Sequence, residues 1–219
     1  MTTAKREMVN RLSNYRKVLL KLKALGFQKI FSDNLADALG VTAAQVRKDF
    51  SQFGLSGNKK GGYQTCELIE GLDRILGKNR EQKIIIVGCG KLGTALMGHN
   101  RFVREGIRVA AGFDTDPAII DPQARVPILD LSELPEFVAR EKIMIAIMTV
   151  PESAASHVLE ILLAADIRGI LNFTPGQLKG GERCVIHNVN LSLEIENLFY
   201  FAENLEAATA PQPDAHRRG

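Results

Sequence analysis

A glycine-rich run, Gly88-Cys89-Gly90-Lys91-Leu92-Gly93, directly follows the apolar segment Ile84 to Val87 and opens into a helical pattern through Thr94, Ala95 and Leu96. In that setting a GxGxxG run can cradle a pyrophosphate. The first glycine permits a tight turn, the second lets the backbone approach the phosphates, and the third lets the helix pack close to the strand. Backbone N–H groups and the helix dipole supply the attraction. Asp114 lies twenty-one residues after Gly93, at the end of the next apolar run. A carboxylate there accepts from both ribose hydroxyls and selects NAD over NADP, since a 2′-phosphate would be repelled. The competing reading is a glycine-rich turn that holds nothing.

Two further turns, Thr149-Val150-Pro151 and Asn172-Phe173-Thr174-Pro175, each follow a buried-strand pattern. Ligands of open parallel sheets collect at the carboxyl ends of the strands, which makes both turns candidates for the same site. Ordinary strand-terminating turns explain them equally well.

A second chemistry sits nearer the N-terminus. Thr42 is placed to cap a helix whose Val46, Phe50 and Phe53 fall on one face. Ala44, Lys48 and Ser51 then point away from that face, with Gln45, Arg47 and Gln52 on its flanks. Arg and Lys there can read guanine edges or hold phosphates, and Gln45 could bond adenine. Downstream, Ser56 to Tyr63 reads as a glycine-rich turn between short strands, a basic wing. Its Lys59 and Lys60 would reach the backbone or the minor groove, and Gly61-Gly62 would permit close approach. The bland alternative is a solvated basic face that binds protein.

Groups for catalysis are scarce. His99, His157 and His187 are scattered, and only about thirty residues follow the last strand pattern, too few for a substrate domain. Cys66, Cys89 and Cys184 are odd in number and form no CxxC pair, against both a disulfide framework and a zinc site. Cys89 lies near a helix N-terminus that could lower its pKa, but with no resolving partner a structural role is the better reading.

The elements that must position these groups follow from patterning. Val9, Leu12, Tyr15, Val18, Leu19, Leu22 and Leu25 recur at helical spacing, with Gly26 as a stop. A second helix follows Ser32 as N-cap and ends at Gly40, and with the Thr42 helix it makes a helix-turn-helix. A closing helix runs from Glu67 to Leu76. From Lys83 the pattern alternates short apolar runs with helices, as a parallel sheet requires. The stretch from Thr115 to Val126 is short and Pro-rich, so any helix there is small. Ser192 to Ala208 reads as a last helix whose wide apolar side suggests docking on a partner subunit.

Among the 219 residues, 45% are hydrophobic and 24% charged, an ordinary globular composition. The net charge of +3 hides an asymmetry: residues 1–83 hold 16 Lys+Arg against 8 Asp+Glu, and residues 84–219 hold 12 against 17. A basic first third joined to an acidic remainder suits one part that meets a polyanion and another that does not. The N-terminus carries no signal-peptide pattern, and the longest apolar run, Ile143 to Val150, is too short for a bilayer, so a cytoplasmic protein is expected.

VTAAQVRKDFSQFG, a GGY wing, GCGKLG, FDTDP, TVP and ILNFTP in this order resemble the Rex family of redox-sensing transcriptional repressors, over roughly Arg11 to Leu205. The resemblance implies an α/β chain: a winged helix-turn-helix domain at 1–79, a Rossmann-type parallel-sheet domain at 80–190, a C-terminal swapped dimerisation helix at 191–208 and a disordered tail at 209–219. It implies a homodimer on palindromic operator DNA that binds NADH or NAD+ and releases DNA when NADH is high. Arg47 and Lys48 become recognition contacts, with Lys60, Gly61 and Tyr63 in the wing. Gly88, Gly90, Gly93 and Asp114 hold the adenosine half of the dinucleotide, and Thr149, Pro151, Asn172 and Phe173 line the way to the nicotinamide. Family members typically carry Tyr where this chain has His99, an acid at Asn190 and Arg at Lys17, a polar switch. The neutral amide of Asn190 implies weaker discrimination of NADH from NAD+, or a response directed to NAD+. A CoA-binding enzyme domain, similar to that of acyl-CoA ligases, is the competing class.

Overall fold

The computed structural model describes residues 3–57 and 61–209, which form two compact units: residues up to 82 together with 100–108, and residues 83–99 together with 109 onward. The first unit opens with α1 (Thr3–Ala24), whose Leu12, Tyr15 and Leu19 are fully buried at helical spacing. Burying each such side chain stabilises the unit by roughly 1.5–3 kcal/mol. Then come β1 (Lys29–Ile30), α2 (Ser32–Leu39), α3 (Ala43–Gln52), β2 (Tyr63–Gln64) and α4 (Thr65–Ile75). Gly40, at φ 65°, ends α2, and its N–H donates to the Ala36 carbonyl. Thr42 caps α3 by accepting from the Gln45 N–H. α4 adds Leu68, Ile69 and Leu72 to the core, and its Gly71 leaves room for Leu55, whose Cδ2 lies 2.3 Å from where a Cβ would sit.

One local expectation is corrected, and one strand finds its partner. The cap of α2 is Phe31, whose N–H donates to Asn34 Oδ1, while Ser32 is already helical and its hydroxyl accepts from Arg47. Among the described residues, the strand that follows the wing turn pairs outside the turn. β2 pairs antiparallel with β1, from the other side of the helix-turn-helix, with Ile30 opposite Tyr63. Gly62, at φ 67°, makes that approach possible, because a Cβ there would lie 2.5 Å from the Ile30 carbonyl oxygen.

The second unit is built on β3 (Gln82–Val87), α5 (Lys91–Met97), β4 (Ile107–Asp114), β5 (Ile128–Asp130), α7 (Leu134–Glu141), β6 (Ile145–Met148), α8 (Glu152–Ala164), β7 (Gly169–Asn172) and β8 (Val185–Asn188), with α6 (Asn100–Arg104) between α5 and β4. The sheet order is β5-β4-β3-β6-β7-β8, with parallel registers such as Val87 opposite Met148 and Asn172 opposite Asn188. This is the doubly wound Rossmann order, which reverses between β3 and β6. Ile85, Val87, Phe113, Ala146 and Met148 of the sheet are buried against Leu134, Phe137 and Val138 of α7 and Ala155, Val158 and Leu162 of α8.

β5 and α6 are elements that patterning does not signal. β5 has three half-buried residues, and α6 has five residues and buries none of them. Between Thr115 and Val126 there is no helix at all. Residues 100–108 belong with the first unit because Lys78 donates to the Glu105 carbonyl, the Gln82 N–H donates to that of Gly106, and Lys17 pairs with Glu105. The two units therefore meet in the chain at Gln82, with that segment belonging to the first. α9 (Leu191–Thr209) follows, and Leu198, Phe199, Tyr200 and Phe201 on it are each more than 60% exposed. The expected disordered tail lies outside the described residues from 210 onward.

The buried charge in the first unit is Asp49, 2% exposed on α3. Arg11 Nε and Nη2 donate to its two oxygens at 2.7 and 2.9 Å, Tyr15 Oη at 2.9 Å and Gln45 Nε2 at 2.7 Å. Burial alone would raise the Asp49 carboxyl, but these hydrogen bonds outweigh it and hold it below its ordinary value. The same burial, together with Asp49, pushes Tyr15 up to about 12. Because the folded carboxyl titrates below the unfolded one, its contribution to stability is complete above the ordinary value near 3.8 and is lost as pH falls below it. Asp49→Ala leaves Tyr15 and Arg11 without their acceptor. The expected outcome is a lower urea midpoint for the first unit, a loss of about 2–4 kcal/mol, with a flatter acid dependence than the wild type.

Candidate functional site

In the second unit, the carboxyl ends of β3, β4, β6 and β7 bring the ligand candidates to one sheet edge. Gly88, at φ 90°, turns sharply after β3, and its N–H donates to the Phe113 carbonyl at 2.8 Å. Thr149 at the end of β6 answers from the other side, its hydroxyl donating to the Gly88 carbonyl at 2.6 Å. A Cβ on Gly88 would lie 2.9 Å from the Thr149 carbonyl carbon, and one on Gly93 only 2.0 Å from the Gly88 oxygen. Those two glycines are required by packing within the protein. Gly90 differs: a Cβ there would meet nothing within 4 Å. The open space beside Gly90, at the N-terminus of α5, is where a pyrophosphate would approach the backbone. Lys91 and Leu92 begin α5 and are exposed.

Asp114 stands at the end of β4. Its Oδ2 accepts from the Cys89 N–H at 2.6 Å, and its Oδ1 accepts from the N–H groups of Thr115 and Asp116. These bonds fix the carboxylate against the glycine loop, and its remaining lone pairs suit ribose hydroxyls. Burial and the charge of Asp114 push the Cys89 thiol up to about 11. Burial and Asp114 thus outweigh the pull of the helix N-terminus on Cys89, a residue 2% exposed whose sulfur packs beside Gly112.

The turn after β7, expected to line a ligand path, is braced from within. Asn172 is fully buried; its Nδ2 donates to the Gly176 carbonyl and to Asn188 Oδ1, and its Oδ1 accepts from the N–H and hydroxyl of Thr174. Asn188, at the same register on β8, also exchanges both amide bonds with Leu178. This pair braces the loop after β7, and only the adjacency of β7 and β8 reveals Asn188. Val150 and Phe173 are half-buried, while Pro151 and Pro175 are exposed at the same edge.

In the first unit, α3 presents Lys48, Ser51 and Arg47 to solvent, with Ala44 and Gln52 beside them. Arg47 Nη1 donates to Ser32 Oγ at 2.9 Å, so the guanidinium leans on the start of α2. Arg47 and Ser51 line a cleft with Phe31, Ser32 and Tyr63. Tyr63 is half-buried, its ring edge on Phe50 at 5.3 Å, and most of it serves packing. Gly61 follows the segment 58–60, so Lys59 and Lys60 lie outside the described residues. Of the three switch candidates, Lys17 Nζ lies 3.9 Å from Glu105 Oε1, Asn190 Oδ1 caps α9 by accepting from the Leu193 N–H, and His99 is exposed at the end of α5.

A family model for a CoA binding domain matches residues 79–176, and one for a putative DNA-binding protein N-terminus matches residues 6–51. The redox-sensing transcriptional repressor Rex of Listeria welshimeri is 34% identical over 200 residues, covering 91% of this chain and 93% of the relative. That of Bacillus licheniformis is 36% identical over 195 residues, covering 89% and 91%. The chain belongs to the Rex family. Rex proteins are transcriptional repressors, not enzymes. The solved structure of the Rex-family repressor RSP in complex with NAD+ and operator DNA matches with a TM-score of 0.83 and 31% identity, covering 96% of this chain and all of that one. RSP in complex with NADH matches with a TM-score of 0.75 and 32% identity, covering 94% and 96%. The two-part architecture of this chain is thus that of Rex.

Substitution separates the roles of the Rex glycines. Gly93→Ala forces the loop off the Gly88 carbonyl and is expected to lower the melting temperature by an amount equivalent to about 1–3 kcal/mol, while Gly90→Ala leaves it unchanged. A second expected outcome concerns the thiols: in the folded protein at pH 8, iodoacetamide labels exposed Cys66 and leaves Cys89 unmodified until denaturant is added.

Proposed function

We propose that this chain is a homodimeric, cytoplasmic Rex repressor that grips a palindromic operator with α3 and the Lys59–Lys60 segment and releases it when NADH binds at the glycine loop. The observation that carries the ligand half is the contrast among the glycines: two have no room for a Cβ, and Gly90 faces open space beside an anchored carboxylate. Gly88, Gly90, Gly93 and Asp114 are the proposed contacts to the adenosine half and pyrophosphate. Thr149, Val150, Pro151, Phe173, Thr174 and Pro175 would border the nicotinamide half, with Asn172 supporting from beneath. The bound nicotinamide supplies the redox state that is read. The chain's own task is to bind one redox form better in the arrangement that cannot hold DNA, because only differential affinity shifts an equilibrium.

The DNA half is supported by the +8 balance of residues 1–83 and by the exposed Arg47, Lys48 and Ser51 on a capped recognition helix, with Thr42, Gln45, Gly61 and Tyr63 nearby. Dimerisation is supported by α9, whose Leu198, Phe199, Tyr200 and Phe201 are largely exposed and fit a helix exchanged with a second copy. Among the described residues no helix is long and apolar enough to cross a membrane.

A second reading has its own observation. Lys17 pairs with Glu105, and Asn190 is a neutral helix cap, so neither supplies the charge partner a nicotinamide-linked switch would use. On that reading the protein discriminates NADH from NAD+ weakly, or answers NAD+. Titrating a labelled palindromic duplex with each dinucleotide decides between the two. Release by NADH alone supports the first reading, equal release or release by NAD+ supports the second, and binding of CoA in place of both would remove each. Arg47→Ala with Lys48→Ala is expected to abolish binding, with a salt dependence shallower than the wild type in any residual affinity.

A further inference from the structure

Gln45 is the third residue of α3 and completes the pattern Thr42-Ala43-Ala44-Gln45, which in a capping box would send the Gln side chain back to the Thr42 N–H. Only half of that box forms. The Gln45 N–H donates to Thr42 Oγ1 at 3.1 Å, but the side chain runs forward one turn, and its Nε2 donates to Asp49 Oδ1 at 2.7 Å. The carboxylate of Asp49 can only accept, so the NH2 end of the amide must face it, and the amide cannot flip. Asp49 is itself immobile, gripped by Arg11 and Tyr15 of α1. Gln45 is half-buried at the N-terminal end of the recognition helix, the part that approaches base edges in helix-turn-helix proteins.

An amide nitrogen carries two hydrogens. With one held by Asp49, the other hydrogen and Oε1 remain as a donor and acceptor pair of fixed sense. That pair is the complement of adenine in the major groove, which offers N7 as acceptor and N6–H as donor. We infer that Gln45 is a specificity-determining residue that reads one adenine in each half-site through N6 and N7, and that Asp49 is the positioning residue that sets its amide for that contact. The charge of Asp49 thus does two things: it locks α3 to α1, and it orients a base reader that would otherwise sample several rotamers and both amide senses.

This inference rests on the proposed DNA binding, and the test keeps the two apart. Duplexes randomised in both half-sites are selected with the full-length wild-type protein, and each adenine of the selected sequence is then replaced by 7-deaza-adenine, which lacks N7, or by purine, which lacks the N6 amine. The expected result is one adenine per half-site at which either replacement weakens binding roughly tenfold, the lower end for a bidentate base contact. Gln45→Ala should bind the natural and replaced duplexes equally, and Gln45→Glu should shift the preference at that position towards cytosine. Asp49→Asn, whose amide can accept or donate, should narrow the adenine discrimination while leaving the salt dependence of binding unchanged. If that variant does not fold, the Gln45 variants and modified bases still decide. No adenine sensitive to both replacements, or discrimination that survives in Gln45→Ala with only a lowered melting temperature, overturns the inference and leaves Gln45 as a cap. Failure to select any duplex overturns the DNA-binding reading with it.

Discussion

The carbonyl oxygen of Gly88 occupies space that a Cβ on Gly93 would need, and Thr149 holds that oxygen in place from the end of β6. This close approach joins β3, the glycine loop, α5 and β6 at the point where the strand order reverses. A parallel sheet leaves its crevice there, because crossovers depart in opposite directions from the two central strands. The glycine contacts make the crevice narrow on the protein side and open at Gly90. Asp114, tied to the same loop through the Cys89 N–H, is thereby set at a fixed position relative to the turn.

The first unit depends on a different constraint, a buried charge. Burying Asp49 is favourable only because every donor that faces it is present: a bidentate guanidinium, a phenol and an amide. That requirement fixes α3 against α1, leaving Arg47, Lys48 and Ser51 on the outer face. Tyr63 completes the arrangement by laying its ring edge on Phe50, which carries the β1–β2 pairing into the same core. The α3 helix is thus locked on its inner side and polar on its outer side.

The division of charge gives these two constraints a common purpose. Basic groups concentrate in the first third and acidic groups in the remainder; on the proposed reading, phosphate attraction favours the first and disfavours the second on DNA. A regulator built this way needs no catalytic group. It needs two sites and an arrangement that both of them bias.

Much of this was legible from residue order. Short-range rules produced α3 with its Thr42 cap, the stop at Gly40, the glycine loop after β3 and the acid at Asp114, since each depends on neighbours within a few positions. The same rules misread Ser32 as a cap and missed β5 and α6, where short, half-exposed segments carry too little periodicity to register. They offered Asn172 to a ligand and Gln45 to adenine, and could not see that Asn188 and Asp49 also hold those side chains. Residue order alone set which chemistry each candidate site offers, because glycine spacing, caps and charge are local properties. Tertiary structure alone decided which glycine faces open space, which strand pairs with the wing and which polar groups hold one another. Those outcomes depend on atoms brought together from distant positions, and residue order places no limit on such distances.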